Sequence, residues 1–348
     1  MDAIPYGLLA ALIGLAGGTV LGLAGRLGNF CTVSAVEMAV YGKDARKLRL
    51  WGIVLAVAVL ATQFGALAGY IHLEMTFYHE LVWNPVASVV GGLMFGYGMA
   101  MSGNCGFGAL TRMGGGDIRA LVIVVVIAIA AYVTLSGPLA PLRMALFPQE
   151  DASGPQGILH DLQTYAGLPP ALVISVIACG LGFWGLSYGP LRREPHMLFW
   201  GVAAGLAVAG CLAGTSWLAD SSLGAIDVEG PSFTAPVGRA LLFLMTSTAG
   251  GISFSVGIVV GVILGGFIGA LVRGLFRWEA CEDPRELGRA IVGAILMGVG
   301  GVVAMGCSVG QGVTAFATLS WSGPVTLAAI AAGCVLGLRH LIGGYQVE

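Results

Sequence analysis

Charge is what this sequence lacks. Only 10% of its 348 residues are Asp, Glu, Lys or Arg, against 57% hydrophobic, whereas soluble domains carry about 25% charged residues. So few charges cannot cover a globular surface, and lipid is the expected solvent for most of the chain. The net charge is −2, and no basic tract interleaved with aromatics occurs, which excludes nucleic acid as a partner. There is no GxxxxGK[ST] phosphate loop, so the chain carries no ATP site of that kind. Its seven cysteines form no CxxC pair and no zinc-type spacing, and their number is odd. A disulfide framework, a metal site and a cofactor are therefore not expected. Residues 3–25 are uncharged with no cation before them, the first being Arg26. A secretory signal begins with a basic region, so this stretch reads as a retained helix.

What is present in excess is glycine, 57 residues of it, which transmembrane helices tolerate because it permits close approach and breaks. Uncharged runs occupy 3–25, 50–71, 81–111, 120–142, 162–191, 197–219, 240–272 and 290–338. A crossing needs about 20 apolar residues. The runs 81–111, 240–272 and 290–338 hold 31, 33 and 49 positions, too many for whole crossings. Loop charge sets the orientation. KDARKLR (43–49), Arg112 with Arg119, RRE (192–194) and the arginines of 273–289 are basic and read as cytoplasmic, whereas 71–80, 143–161 and 220–229 hold acids and histidines and read as external. Alternation then requires the surplus to enter and leave on one side.

The expected fold is an all-α integral membrane protein with about nine crossings, near 7–24, 50–70, 86–103, 119–138, 170–187, 197–213, 254–273, 288–305 and 323–340. Returning segments are expected near 29–42, 104–113, 236–251 and 306–320, the N-terminus outside and the C-terminus cytoplasmic. Aligning Cys105 on Cys307 superposes Gly96 on Gly298, Gly98 on Gly300 and Gly108 on Gly310. With Cys105 approached from the cytoplasm and Cys307 from outside, the chain divides into inverted halves, 1–142 and 197–348, joined by an outer loop and connecting helix over 143–196. Breaks at membrane depth are tolerated where they line a cavity or pack inside protein.

Three stretches, GRLGNFCTVSAVEMA, GYGMAMSGNCGFGALTRMGGG and MGVGGVVAMGCSVGQGVTAFATLS, resemble the YeeE/YedE family of sulfur-transport membrane proteins, and the likeness covers nearly the whole chain. It implies an hourglass pinched by loops from both faces and uptake of thiosulfate or a related sulfur compound into a bacterial cell across the inner membrane. It also implies a relay of thiols at the constriction, which by motif are Cys31, Cys105 and Cys307. The second half has no cysteine at the counterpart of Cys31, near Phe233 to Pro236, so the set is asymmetric and suits an ordered relay. The family's context further implies a cytosolic sulfur-carrier protein as a partner, docking on the basic inner loops.

Thiosulfate joins a soft terminal sulfur to hard oxygens and carries two negative charges, which cost many kcal/mol to bury unpaired. Helix N-termini offer N–H groups and about half a positive charge each. Segments 104–110 and 307–313 supply this, with Gly106 and Gly310 permitting close approach and Asn104, Ser308 and Gln311 offering hydrogen bonds. A neutral thiol adds a weak donor and a polarizable sulfur, whereas a thiolate would repel the anion. Arg26 and Arg112 flank two of the breaks as candidates to attract it. Glu37 follows Cys31; an intramembrane acid there would be a candidate for proton coupling, but a place near the cytoplasmic mouth is the expectation. His72 and His79 are expected solvated, Cys179, Cys211 and Cys334 are expected to be packing residues, and Cys281 falls in a charged loop. The competing readings are transport of another sulfur or selenium species, a membrane sulfurtransferase carrying a cysteine persulfide, and a neutral-solute channel. No histidine stands near the three motifs in sequence to act as a base, which argues against catalysis.

Overall fold

The computed structural model describes residues 5–152, 154, 156–247, 251–279 and 283–345; Cys281 lies outside them. In chain order the helices are α1 (Tyr6–Leu27), α2 (Thr32–Val40), α3 (Arg46–Leu67), α4 (Phe77–Glu80), α5 (Pro85–Ser102), α6 (Gly106–Gly114), α7 (Ile118–Leu135) and α8 (Ala140–Leu146). They continue with α9 (Ile158–Ala166), α10 (Pro170–Leu186), α11 (Gly189–Arg192), α12 (Pro195–Ser221), α13 (Ala235–Thr246), α14 (Phe254–Val272) and α15 (Pro284–Val303). A π-helical turn, Gly310–Ala315, precedes α16 (Ser322–Tyr345). Among the described residues there are no strands, only two isolated bridges.

Local chemistry sets the ends of these helices. Asn84 accepts from the Ala87 amide at 3.1 Å ahead of Pro85, and Asp117 accepts from Ala120 at 3.0 Å. Both are N-caps that satisfy a backbone donor the helix cannot. α5 stops at Gly103, whose φ of +71° is left-handed, and the chain turns straight into α6. The predicted surplus residues are thus short second helices: α2 after α1, α6 after α5, and α13 before α14. The segment expected at 306–320 contains the π-turn.

Among the described residues, eight helical stretches are long and apolar enough to cross a bilayer. α10, the expected connecting crossing, has 17 residues and spans about 25 Å. It is short because Gly167, at φ +62°, and Pro169 hold its start outside the helix. Large apolar side chains such as Leu12, Val176, Phe183, Phe199, Leu206 and Val272 are exposed along these helices. Such a surface belongs in lipid, and the protein is an integral membrane protein.

Glycine brings the helices together. A Cβ on Gly18 or Gly22 of α1 would stand 2.4 Å from the carbonyl oxygens of Ile258 and Val262, and one on Gly261 of α14 would stand 2.4 Å from that of Leu15. Small residues at intervals of four make both faces flat enough for backbone contact. The packing also comes in matched sets. α1 lies on α14 as α12 lies on α3, α5 on α16 as α15 on α7, and α6 on α14 as the π-turn on α3. α1 packs on α12, and α5 on α15.

Candidate functional site

Each of the three motif cysteines stands where the chain leaves a left-handed residue and starts a short helical segment. Asn29 (φ 55°), Gly103 (φ 71°) and Met305 (φ 58°) occupy the position two residues before Cys31, Cys105 and Cys307. Cys31 and Cys105 are the N-caps of α2 and α6. The Gly108 amide donates to the Cys105 Sγ at 3.3 Å. The Gly310 amide donates to the Cys307 Sγ at 3.3 Å, and the Phe233 amide does so at 3.2 Å. Helix-start N–H groups of Gly108 and Gly310 therefore point at both sulfurs.

The breaks converge. A Cβ on Gly108 would lie 3.6 Å from both the Cys105 Sγ and the Asn104 Oδ1, and 3.9 Å from the Cys31 Sγ. Cys31, Cys307 and Ser308 are all close enough to Cys105 to interact with it. A Cβ on Gly106 would lie 2.8 Å from the Phe233 carbonyl, so the loop before α13 fills the space between the Cys105 and Cys307 breaks. Cys105 and Cys307 are fully buried and Cys31 is half-buried. Around them the Asn104 Oδ1, Ser308 Oγ, Gln311 Oε1 and Thr234 Oγ1 are buried without a hydrogen-bond partner. Buried polar atoms are nearly always partnered, so four such atoms beside three thiols mark a place built for a polar visitor. Gln311 stands apart in one respect: its Nε2 donates to the Met305 carbonyl at 3.1 Å, bracing the turn before Cys307.

Cavities lie on either side. One, of about 280 Å³, is lined by Arg26, Lys47, Arg112 and Arg273 with Cys31 and Asn104, and no carboxylate of the described residues lines it. Arg26 and Arg112, singled out from sequence, meet here, while Lys47 and Arg273 join them from segments no motif connects. The other, of about 330 Å³, is lined by Arg143, Arg239, Glu229, Ser232, Thr234 and Gly306 among others. Arg239 donates to Glu229 at 2.8 Å, whereas the Arg143 Nε is buried without a partner. A larger cavity of about 720 Å³, lined by Glu74, His79, Glu80, Asp151 and His160, lies apart from the thiols, and its acids suit an anion poorly.

One expectation changes. His79 is not solvated: its ring nitrogens lie 2.8 Å from the Gln156 carbonyl and 3.1 Å from that of Thr318, tying the 71–80 loop to the segment after Cys307. Glu37 is exposed on α2 and is not in the lining of these cavities. Of the other cysteines, Cys211 and Cys334 are buried in packing and Cys179 is exposed; a Cβ on Gly17 would lie 2.1 Å from the Cys211 Sγ, which identifies that thiol as seam filler. Among the described residues no group of His, Cys, Asp or Glu could hold a metal ion.

Two relatives in sequence are named for thiosulfate. A thiosulfate transporter of Escherichia coli K12, TsuA, is 26% identical over 325 residues, covering 91% of this chain and 90% of its own length. The protein of the same name from Spirochaeta thermophila is 27% identical over 327 residues, covering 88% and 93%. The family described as sulphur transport matches residues 27–336, a stretch holding all three motif cysteines, and the chain belongs to that family.

Proposed function

We propose that this protein imports thiosulfate into the bacterial cytoplasm through a constriction where Cys307, Cys105 and Cys31 receive the ion in turn. The observation that carries this reading is the convergence of three thiols and four unpartnered buried polar atoms between two cavities that each hold cations. Family membership supports a sulfur cargo, and the relatives' names support thiosulfate.

The matched packing supports two inverted halves with α10 between them, since an odd connecting crossing reverses the second half. The loop-charge rule places the cavity of Arg26, Lys47, Arg112 and Arg273 on the cytoplasmic side, with the N-terminus outside and the C-terminus inside. An incoming dianion first meets Arg143 and Arg239, whose field raises its local concentration. At the constriction, backbone N–H groups of the short helices and the Asn104 and Ser308 side chains take over the oxygens, while neutral thiols offer polarizable contact to the terminal sulfur. The cations stay in the two cavities, so the ion meets them before Cys307 and again at Cys31, which shares its cavity with four of them. Beyond Cys31 the four basic residues draw it inward, and an acidic face of a cytosolic sulfur carrier would dock at the same mouth.

The hydrogen bonds to the Cys105 and Cys307 sulfurs come from backbone amides, with no histidine or carboxylate among them. This favours passage over covalent sulfur transfer, which needs a base to form the attacking thiolate. In cells whose only sulfur source is thiosulfate, Cys105→Ala abolishes growth while the wild type restores it. Unimpaired growth of the variant contradicts the relay. A mass increase of one sulfur on Cys105 or Cys307 after exposure would favour the sulfurtransferase instead.

A further inference from the structure

In the proposed repeat, the place of Cys31 falls to Thr234. Cys31 heads α2 and follows Phe30, while Thr234 heads α13 and follows Phe233. The two phenylalanines flank one ring: the Phe107 centroid lies 6.1 Å from Phe30 and 5.3 Å from Phe233. Thr234 thus stands where a fourth thiol would complete the set.

Its hydroxyl is idle in every ordinary sense. Thr234 is 1% exposed, and its Oγ1 has no hydrogen-bond partner. A threonine at a helix start normally accepts from the amide two or three residues on. Thr234 makes no such bond, and the residue two on is Pro236, which has no N–H to give. The residue lines the 330 Å³ cavity that also holds Arg143. The amide of its neighbour Phe233 donates to the Cys307 Sγ at 3.2 Å. Thr234 therefore lies between the outer cavity and the first thiol.

We infer that Thr234 is a fourth substrate-touching residue of the constriction, a hydroxyl that donates to the oxygen end of a sulfur oxyanion before the ion reaches Cys307. The inference rests on the import reading above. A hydroxyl is a full O–H donor, whereas a thiol is a weak donor with a polarizable sulfur. Thr234 takes an oxygen while Cys307 takes the terminal sulfur, so the two ends of the ion are sorted on arrival. The asymmetry of the set also has a chemical reason. Disulfides form and persist outside the cytosol, and the position nearest the outer cavity is where a fourth thiol would be most open to oxidation. A hydroxyl there is inert.

Uptake of radiolabelled thiosulfate by intact cells, at matched membrane levels, tests this. Thr234→Val keeps the shape and removes the donor, and KM is expected to rise about tenfold, the worth of one hydrogen bond to a charged group. Thr234→Ser keeps the donor and stays within about twofold of the wild type. A wild-type KM for Thr234→Val overturns the inference, and Thr234→Ala replaces it in the same comparison if valine lowers the membrane level. If the wild type itself takes up no thiosulfate, the import reading falls, and Thr234 is judged by a second measurement. That is the rate at which Cys307 reacts with an anionic, sulfonate-bearing methanethiosulfonate added outside, relative to a neutral reagent of similar size. Thr234→Val is expected to lower this ratio severalfold; an unchanged ratio, or a Cys307 that neither reagent reaches, overturns the inference.

Discussion

Ser308 shows how single residues divide between holding the fold and serving the path. Its hydroxyl is buried beside the Cys105 thiol. A hydroxyl that serves the fold lowers stability when removed, whereas one that serves a passing ion lowers affinity instead. Ser308→Ala is expected to leave the melting temperature of the purified protein within a few degrees of the wild type and to raise the KM for thiosulfate severalfold. A lower melting temperature with unchanged uptake would make Ser308 a packing residue. Much at this scale was legible in the sequence. Cys31, Cys105 and Cys307 could be named because their motifs resemble those of a sulfur-transport family, and Asn104 and Ser308 because they stand in glycine-rich breaks beside them. Thr234 could not, because its role depends on the absence of a partner, which no motif encodes. Lys47, Arg143, Arg239 and Arg273 were equally hidden, since each reaches its cavity from a segment that reads as an ordinary loop or helix end.

Helices are governed here by close approach. The α1–α14 seam relies on glycines whose missing Cβ atoms would lie 2.4 Å from the opposing backbone, and backbone cannot yield as a flexible side chain does. Gly261→Leu is expected to cut the amount of folded protein in the membrane at least tenfold, measured by detergent extraction and gel filtration, whereas Gly180→Leu, with nothing within 4 Å of its Cβ position, leaves it unchanged. Outside the bilayer, His72 joins the 71–80 loop to the end of α12, its Nε2 lying 3.0 Å from Asp220 and its Nδ1 3.2 Å from Glu74. The bond to Asp220 is the main reason its pKa is raised, with burial opposing it and the charges of Asp220 and Glu74 adding to the rise. A raised pKa in the folded state contributes stability that is complete below the unfolded value, about 6.5, and is lost as pH rises through the folded value. The melting-temperature gap between wild type and Asp220→Asn should be widest below about pH 6.5 and close above the folded pKa; a gap that widens with pH contradicts the assignment. Helix existence and the returning segments followed from run length and loop charge. The π-turn at Gly310–Ala315 did not, because α and π turns share one apolar pattern and differ only in which carbonyl each amide meets.

Taken whole, the molecule gathers cations in two cavities on either side of the buried Cys105 and Cys307, with Cys31 in the lining of one of them. Neutralising charge at both ends attracts and releases a dianion, while weak, multiple contacts at the waist let it leave again. The overall plan was readable because lipid forces long apolar runs and loop charge orders them. The two cavities were not, because each is lined by segments far apart in sequence. The account's central claim is that thiol sulfur, and not mere space, moves the ion. Initial uptake of radiolabelled thiosulfate in cells carrying Cys105→Ser measures this most directly, since serine keeps the size and the hydrogen bond but removes the polarizable sulfur. The account predicts a fall to less than about a tenth of the wild-type rate at equal membrane levels. Uptake at the wild-type rate would contradict it and leave a channel to which the cysteines are incidental.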